Sequence, residues 1–235
     1  MVSIKQNIAQ ITQQIQQTSQ KCGRAPDSVQ LLAVSKTKPI SAIQEAIEAG
    51  QRAFGENYVQ EGVEKIQYFS STPYANELNW HFIGPIQSNK TKLIAEHFGW
   101  VHSVDREKVA RRLNEQRPTN LPALNVLLQV NTSGEASKAG TDVSSVVELA
   151  VQIATMPNLV LRGLMSIPER AEDYDSQLRA FNSLAEAFAQ LKPHHPHLDT
   201  LSMGMSGDID AAIAAGSTMV RIGTAIFGAR DYGAK

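Results

Sequence analysis

Leu31-Leu32-Ala33-Val34-Ser35-Lys36 is an apolar run of strand length that ends on a lysine. A lysine held where a buried strand emerges is partly desolvated, which favours the neutral amine and makes it a nucleophile toward aldehydes. Further strand-like segments follow at 52–55, 80–83, 100–103, 125–130, 160–165, 200–203 and 219–222. Between them lie helical patterns. Residues 40–49 carry Ile40, Ile43 and Ile47 on one face, with Gly50 where a helix stop belongs. Residues 90–98 end at Gly99 in the same way, and 105–116 open on a cap at Asp105 and halt before Pro118. Further helices are expected at 143–155, 174–191 and 209–215. A faint internal echo, Ala-Ile-Glu-Ala-Gly at 46–50 against Ala-Ile-Ala-Ala-Gly at 212–216, marks a repeated supersecondary unit rather than a solenoid.

Eight strands alternating with helices predict an α/β fold, a single (β/α)8 barrel over residues 1–235; such barrels normally run to about 250 residues. A doubly wound open sheet is the alternative. The unusual residues favour the barrel. Lys36, Glu56-Asn57-Tyr58, Gly84 to Gln87, Asn131, Ser166, Met203 to Ser206 and Arg221 to Thr224 all follow the C-terminal ends of strands, the face where barrels place their chemistry. Ahead of the barrel, 3–21 reads as an extra amphipathic helix with Ile4, Ile8, Ile11 and Ile15 in one stripe. Ser3 and Gln6 have capping-box spacing at its start. The stripe is expected to pack on the barrel, with a coiled-coil contact as the competing use.

Composition narrows the class. The chain has 235 residues, 42% of them hydrophobic, and a formal net charge of −1, so nothing electrostatic points to nucleic acid or an anionic membrane surface. Its single cysteine, Cys22, excludes an internal disulfide framework and a Cys-based zinc site. No apolar run is long enough to span a bilayer, and the glutamine-rich N-terminus is no secretory signal; a cytoplasmic protein is expected.

Two Gly/Ser/Thr-rich stretches follow the last two strands: Ser202-Met203-Gly204-Met205-Ser206-Gly207-Asp208 and Arg221-Ile222-Gly223-Thr224-Ala225-Ile226-Phe227-Gly228. Glycines admit close backbone approach, and free N–H groups with hydroxyls from Ser206, Gly223 and Thr224 suit a phosphate. A nucleophilic lysine plus a phosphate cradle indicates a covalently held, phosphorylated aldehyde, for which pyridoxal 5'-phosphate is the obvious candidate. Lys36 is then the Schiff-base lysine, against the bland alternative of a solvated loop residue. Lys38, before Pro39, is expected to turn away to the surface. Arg221 is either a surface ion-pair donor or a donor to the pyridine nitrogen. In the latter role it would keep that nitrogen unprotonated and weaken the ring as an electron sink. Met165, Met203 and Met205 could cover a flat ring or simply fill core. Gly134 to Gly140 lacks the ending of a nucleotide P-loop and reads as a loop that could rim the site; His194-His195-Pro196-His197 reads as a solvated connection; His81 and His102 read as core histidines.

These residues also carry a resemblance. Leu32-Ala33-Val34-Ser35-Lys36-Thr37-Lys38, Phe54-Gly55-Glu56-Asn57-Tyr58-Val59-Gln60-Glu61, Trp80-His81-Phe82-Ile83-Gly84, Gln87-Ser88-Asn89-Lys90, Val130-Asn131, Gly163-Leu164-Met165, Leu201 to Ser206 and Val220 to Gly228 make the chain similar to the YggS/PROSC family of pyridoxal phosphate homeostasis proteins. The resemblance implies a fold-type III barrel like the N-terminal domain of alanine racemase, with the cofactor on Lys36. It puts Asn57 near the ring, Ser206, Gly223 and Thr224 on the phosphate, and Arg221 at the pyridine nitrogen; Met203, read from its place at the barrel top, completes the candidate cofactor-binding set. It further implies a role in cofactor homeostasis and amino-acid/keto-acid balance without robust catalysis, with pyridoxal phosphate-dependent apoenzymes as candidate recipients. Alanine racemases add a C-terminal β-domain and dimerise to supply a second acid/base. Here the sequence stops at Lys235, shortly after the eighth strand, so a monomeric cofactor holder is expected. A racemase-like enzyme using Lys36 as one base is the main alternative, and a cofactor-free Schiff-base aldolase a third.

Overall fold

The structure, a computed structural model, describes residues 3–133, 139–169 and 171–229. Its centre is a ring of parallel strands: β1 (Gln30–Val34), β2 (Ala53–Glu56), β3 (Asn79–Phe82), β4 (Trp100–Val104), β5 (Leu124–Asn131), β7 (Leu159–Met165), β8 (Thr200–Ser202) and β9 (Met219–Ile222). A two-residue β6 (Thr141–Asp142) pairs only with the end of β5. Neighbours in the ring follow chain order, and two pairings close it: β1 with β9 (Leu31↔Val220, Ala33↔Ile222) and β4 with β5 (Val101↔Val126). The predicted barrel is therefore what forms. An open doubly wound sheet would leave two edges unpaired, and here each is spent on the other.

Strand parity explains the layers. Leu31 and Ala33 of β1, Phe54 of β2, Val126 and Leu128 of β5, and Val220 and Ile222 of β9 point outward into the main hydrophobic core between sheet and helices. Their alternates point into the barrel. There Leu32, Ala53, Ile83 and Met219 form a small apolar cluster, while His81, His102, Ser202 and Arg221 make another part of the interior polar.

The helices are α1 (Ile4–Lys21), α2 (Ile40–Glu48), α3 (Val59–Ser70), α4 (Thr91–His97), α5 (Glu107–Gln116), α6 (Val146–Ala154), α7 (Tyr174–Leu191), α8 (Ile209–Ala214) and the single-turn α9 (Thr224–Phe227). After α2 and α8 the chain turns at Gly50 (φ 96°) and Gly216 (φ 103°), left-handed conformations that a side chain would strain, so both glycine stops are where they were read. In α1 the capping box at Ser3 and Gln6 forms, and Ile8, Ile11 and Ile15 are buried against α2, α8 and α9. Asn7 Nδ2 donates to the Ile226 carbonyl at 2.8 Å and Thr18 Oγ1 to Asp210 at 2.8 Å, so the stripe serves the barrel itself. α3 is not among the helices expected from the sequence, although Val63 and Phe69 are buried from it and Ile66 is packed against the core. Among the described residues no helix is long and apolar enough to cross a membrane.

Candidate functional site

The site is assembled at the C-terminal mouth of the barrel. Lys36 lies in the turn two residues beyond β1 and is half-buried, and Asn57 follows β2. Ser166 follows β7, the 203–208 loop follows β8, and Gly223 with Thr224 follows β9. Gly84, after β3, stands so close that a Cβ built on it would lie 2.1 Å from the Asn57 carbonyl oxygen. That close approach sets where Asn57 sits.

Around Lys36 the backbone is pinned by charged side chains. Ser35 Oγ donates to Glu56 Oε1 at 2.5 Å, Lys65 Nζ donates to the Ser35 carbonyl at 2.8 Å, and the Thr37 N–H donates to Glu61 Oε1 at 2.6 Å. Lys65 Nζ also meets Glu56 Oε1 at 2.8 Å and Glu61 Oε1 at 2.6 Å. Burial pushes the Glu56 carboxyl up, against the opposing pull of the Lys65 ammonium and the Ser35 hydroxyl. Lys38 does not turn to the surface as expected. It is half-buried, and its ammonium donates to the carbonyls of Phe227, Gly228 and Ala229 at 3.1, 3.1 and 2.9 Å. Phe227 is the last residue of α9 and Gly228 and Ala229 follow it, and a lysine ammonium suits carbonyls at a helix C-terminus.

Arg221 is an interior residue rather than a surface ion-pair donor. Its Nη1 donates to the Ser202 carbonyl (2.7 Å) and hydroxyl (2.8 Å), and its Nη2 to the Ser166 carbonyl (2.9 Å). Burial lowers its pKa to about 10, so it keeps its charge at neutral pH. The hydroxyl of Ser202 is joined to His102 Nδ1 at 2.9 Å, and His102 Nε2 to His81 Nδ1 at 2.9 Å. A hydroxyl oxygen can accept twice, so the hydrogens here are an assignment: with Ser202 Oγ accepting from Arg221, its own proton is placed toward His102 Nδ1. His102 then donates from Nε2, and both imidazoles are neutral. Burial holds His81 down to about 3 and His102 well below its ordinary value, with His81 and Arg221 adding to the effect at His102.

The cradle residues lie at the open rim: Ser206 and Thr224 are exposed and Gly223 half-exposed. Asp208 Oδ1 accepts from the Met205 N–H at 2.5 Å and shapes the 203–208 loop. Met203 is fully buried in the core between sheet and helices, with its carbonyl accepting from Ser217 Oγ at 2.7 Å; at this loop it is Met205 that stands exposed. Outward parity next to the inward Ser202 accounts for this placement. Two buried side-chain oxygens at the mouth, Asn57 Oδ1 and Ser166 Oγ, have no hydrogen-bond partner among the described residues. Unpartnered buried polar atoms are costly, so they are fitting contacts for a polar ligand. With a lysine, a fixed cation and a hydroxyl-lined rim, they suit a phosphorylated aldehyde on an aromatic ring.

Sequence reasoning missed Glu61, Lys65, Ser202 and the linkage of the two histidines. A Lys at i+4 from Glu61 was the one readable sign. His194, His195 and His197 lie in the α7–β8 connection, and no group of His, Cys, Asp or Glu among the described residues is placed to hold a metal. The loop read as a rim at Gly134 to Gly140 lies largely outside the described residues.

The family described as "Alanine racemase, N-terminal domain" matches residues 6–231. The "Pyridoxal phosphate homeostasis protein" of Vibrio cholerae serotype O1 is 66% identical over 232 residues, covering 99% of this chain and 98% of that protein. Among solved structures, PipY of Synechococcus elongatus with PLP bound is 36% identical with a TM-score of 0.82, covering 96% of this chain and all of that one. Alanine racemase from Corynebacterium glutamicum has a TM-score of 0.71 and covers 98% of this chain but 64% of its own. At 16% identity it shares the fold alone. With near-complete coverage by close relatives, and with the matching motifs gathered at one barrel mouth, the chain belongs to the YggS/PROSC family of pyridoxal phosphate homeostasis proteins.

Proposed function

We propose that this protein binds pyridoxal 5'-phosphate and takes part in its intracellular homeostasis, holding the cofactor covalently on Lys36 without robust turnover. In this reading residues 1–235 act as one cytoplasmic, monomeric barrel unit that passes cofactor to pyridoxal phosphate-dependent apoenzymes. The observation that carries the reading is the meeting, at one barrel mouth, of Lys36, the buried Arg221 guanidinium and the unpartnered oxygens of Asn57 and Ser166. The PLP bound to PipY, a relative of near-identical extent, supports it.

When bound, the cofactor supplies an aldehyde for a lysine and an electron-withdrawing ring. The roles of the chain follow from its own chemistry. Ser206, Gly223 and Thr224 would hold the phosphate with hydroxyls and backbone N–H groups. Asn57 and Ser166 would present their free oxygens to polar groups on the ring, with Met203 backing the loop from the core side. Arg221, held by neutral partners, would face the ring nitrogen and keep its own proton. A ring nitrogen left unprotonated draws electrons weakly, which suits a holder better than an enzyme of carbanion chemistry.

The test is the visible spectrum of the purified protein, followed by borohydride reduction and peptide mass spectrometry, then incubation with common amino acids. A yellow protein with its reduced adduct on Lys36, and no transamination or racemisation at enzyme-like rates, is expected. An adduct elsewhere, or none with added cofactor, overturns the site; turnover that vanishes in Lys36→Ala overturns the holder in favour of a racemase-like enzyme.

A further inference from the structure

Resting on that reading of Lys36, we propose that Glu56, Glu61 and Lys65 act as a clamp that positions the Lys36 amine by fixing the peptide unit on each side of it. The carbonyl of Ser35, which precedes Lys36, is held by Lys65 Nζ at 2.8 Å. The N–H of Thr37, which follows it, is held by Glu61 Oε1 at 2.6 Å. One ion triad joins the two anchors: Lys65 Nζ lies 2.6 Å from Glu61 Oε1 and 2.8 Å from Glu56 Oε1, and Glu56 in turn takes the Ser35 hydroxyl at 2.5 Å. Lys36 is thus bracketed front and back by a single charged unit.

The backbone conformation gives the clamp work to do. Thr37 has φ 62°, and it is the only non-glycine among the described residues in the left-handed region. A β-branched residue adopts that conformation only where its surroundings over-determine it. Glu61 supplies the compensating bond, so the chain turns sharply just after Lys36. The triad is also buried, with side-chain exposures of 0% for Glu56, 5% for Lys65 and 27% for Glu61. Replacing buried ion pairs by apolar residues of similar volume is often neutral or stabilising, so stability alone does not account for the triad, and the geometry it fixes at this turn is its proposed use.

Glu61 and Lys65 are positioning residues. Covalent capture joins Lys36 Nζ to the aldehyde carbon with loss of one water, and its efficiency depends on how well the amine is aimed. Binding of the phosphate and ring alone uses other residues. Loosening the clamp should therefore weaken capture and spare non-covalent binding.

The experiment compares two ligands on the full-length protein stripped of cofactor. Pyridoxal 5'-phosphate can react with Lys36; pyridoxine 5'-phosphate carries an alcohol in place of the aldehyde and cannot. In Glu61→Ala, borohydride-trapped capture of the aldehyde should slow on the order of 10-fold. The pyridoxine 5'-phosphate Kd by calorimetry should stay within about 2-fold, the scatter expected of a group that touches neither ligand. Glu61→Gln keeps an acceptor oxygen for Thr37 and should recover most of the rate. Glu61→Asp keeps the charge but draws the carboxylate back by one methylene from the Thr37 N–H, so it reports even if Glu61→Ala folds poorly, and it should show the same selective loss. Capture at the unsubstituted rate in either Glu61→Ala or Glu61→Asp overturns the clamp, as does equal weakening of both ligands. An unsubstituted protein that gives no adduct on Lys36 overturns the reading of Lys36 itself, and the clamp with it.

Discussion

Replacing Lys65 by methionine isolates what a buried charge does in this barrel. Lys65 is almost wholly buried, and its ammonium meets the Ser35 carbonyl, Glu56 and Glu61 at 2.8, 2.8 and 2.6 Å. Methionine keeps an unbranched stem of similar length, so little cavity opens. What disappears is the charge. Glu56, itself fully buried, then keeps only the Ser35 hydroxyl, while its Oε2 is already unpartnered among the described residues. Stranding one member of a buried ion pair costs about 3–5 kcal/mol. For a chain of this length each kcal/mol moves Tm by about 2–4 °C, so a fall of about 6–20 °C is expected. The loss also carries a pH signature. Burial raises the folded pKa of Glu56 above the unfolded carboxylate value of about 4.3. Between those two values the folded state binds more protons, so stability falls as pH rises through the window. Lys65 narrows the window by pulling the folded pKa down, and its removal widens it. Urea denaturation followed by circular dichroism should therefore show a deficit that is small near pH 5 and full at pH 8. Glu56→Gln combined with Lys65→Met should recover about half of it, since no carboxylate remains to be ionised. A deficit under about 1 kcal/mol at pH 8, or one that does not change with pH, would refute the reasoning.

Three further outcomes are expected. His81 and His102 are buried neutral, with His81 held to about 3, so the unfolded chain binds more protons below about pH 6.5 and stability is lost as pH falls; His81→Gln should flatten the urea-derived slope between pH 6 and 4.5 by about 1.4 kcal/mol per pH unit. Gly84→Ala would place a Cβ 2.1 Å from the Asn57 carbonyl oxygen where about 3.2 Å is needed, so about 1 Å of backbone must give; cofactor titration by absorbance should weaken about 10-fold or more while the circular dichroism spectrum is kept. Ile15→Ala removes a side chain 3% exposed between α1 and the barrel, and calorimetry should record a loss of about 2–4 kcal/mol; a loss under about 1 would mean that α1 is only loosely attached.

Local pattern carried the fold in the sequence. The apolar run at Leu31 to Val34, the glycine stops at Gly50 and Gly216 and the isoleucine stripe of α1 each reflect a preference that a strand or helix imposes on its own residues. The same holds for the candidate site as a set of positions, because barrel topology sends every strand end to one mouth. α3 has helical spacing too, at Val59, Val63, Ile66 and Phe69, but it opens on Tyr58, which makes no side-chain cap hydrogen bond, so no local capping signal marks its start.

What the sequence determined by itself was therefore whatever depends on near neighbours: the alternation of strands and helices, the lysine at the end of the first strand, and the loops after the last two. Tertiary structure alone decided the partners. His102 meets Ser202 across 100 positions of chain, Lys38 reaches the end of α9, Met203 turns into the core while Met205 faces out, and Lys65 closes on Glu56 beneath Lys36. Hydrogen bonds and ion pairs act over a few ångströms of space and have no period along the chain, so only ring closure and strand parity bring these groups together.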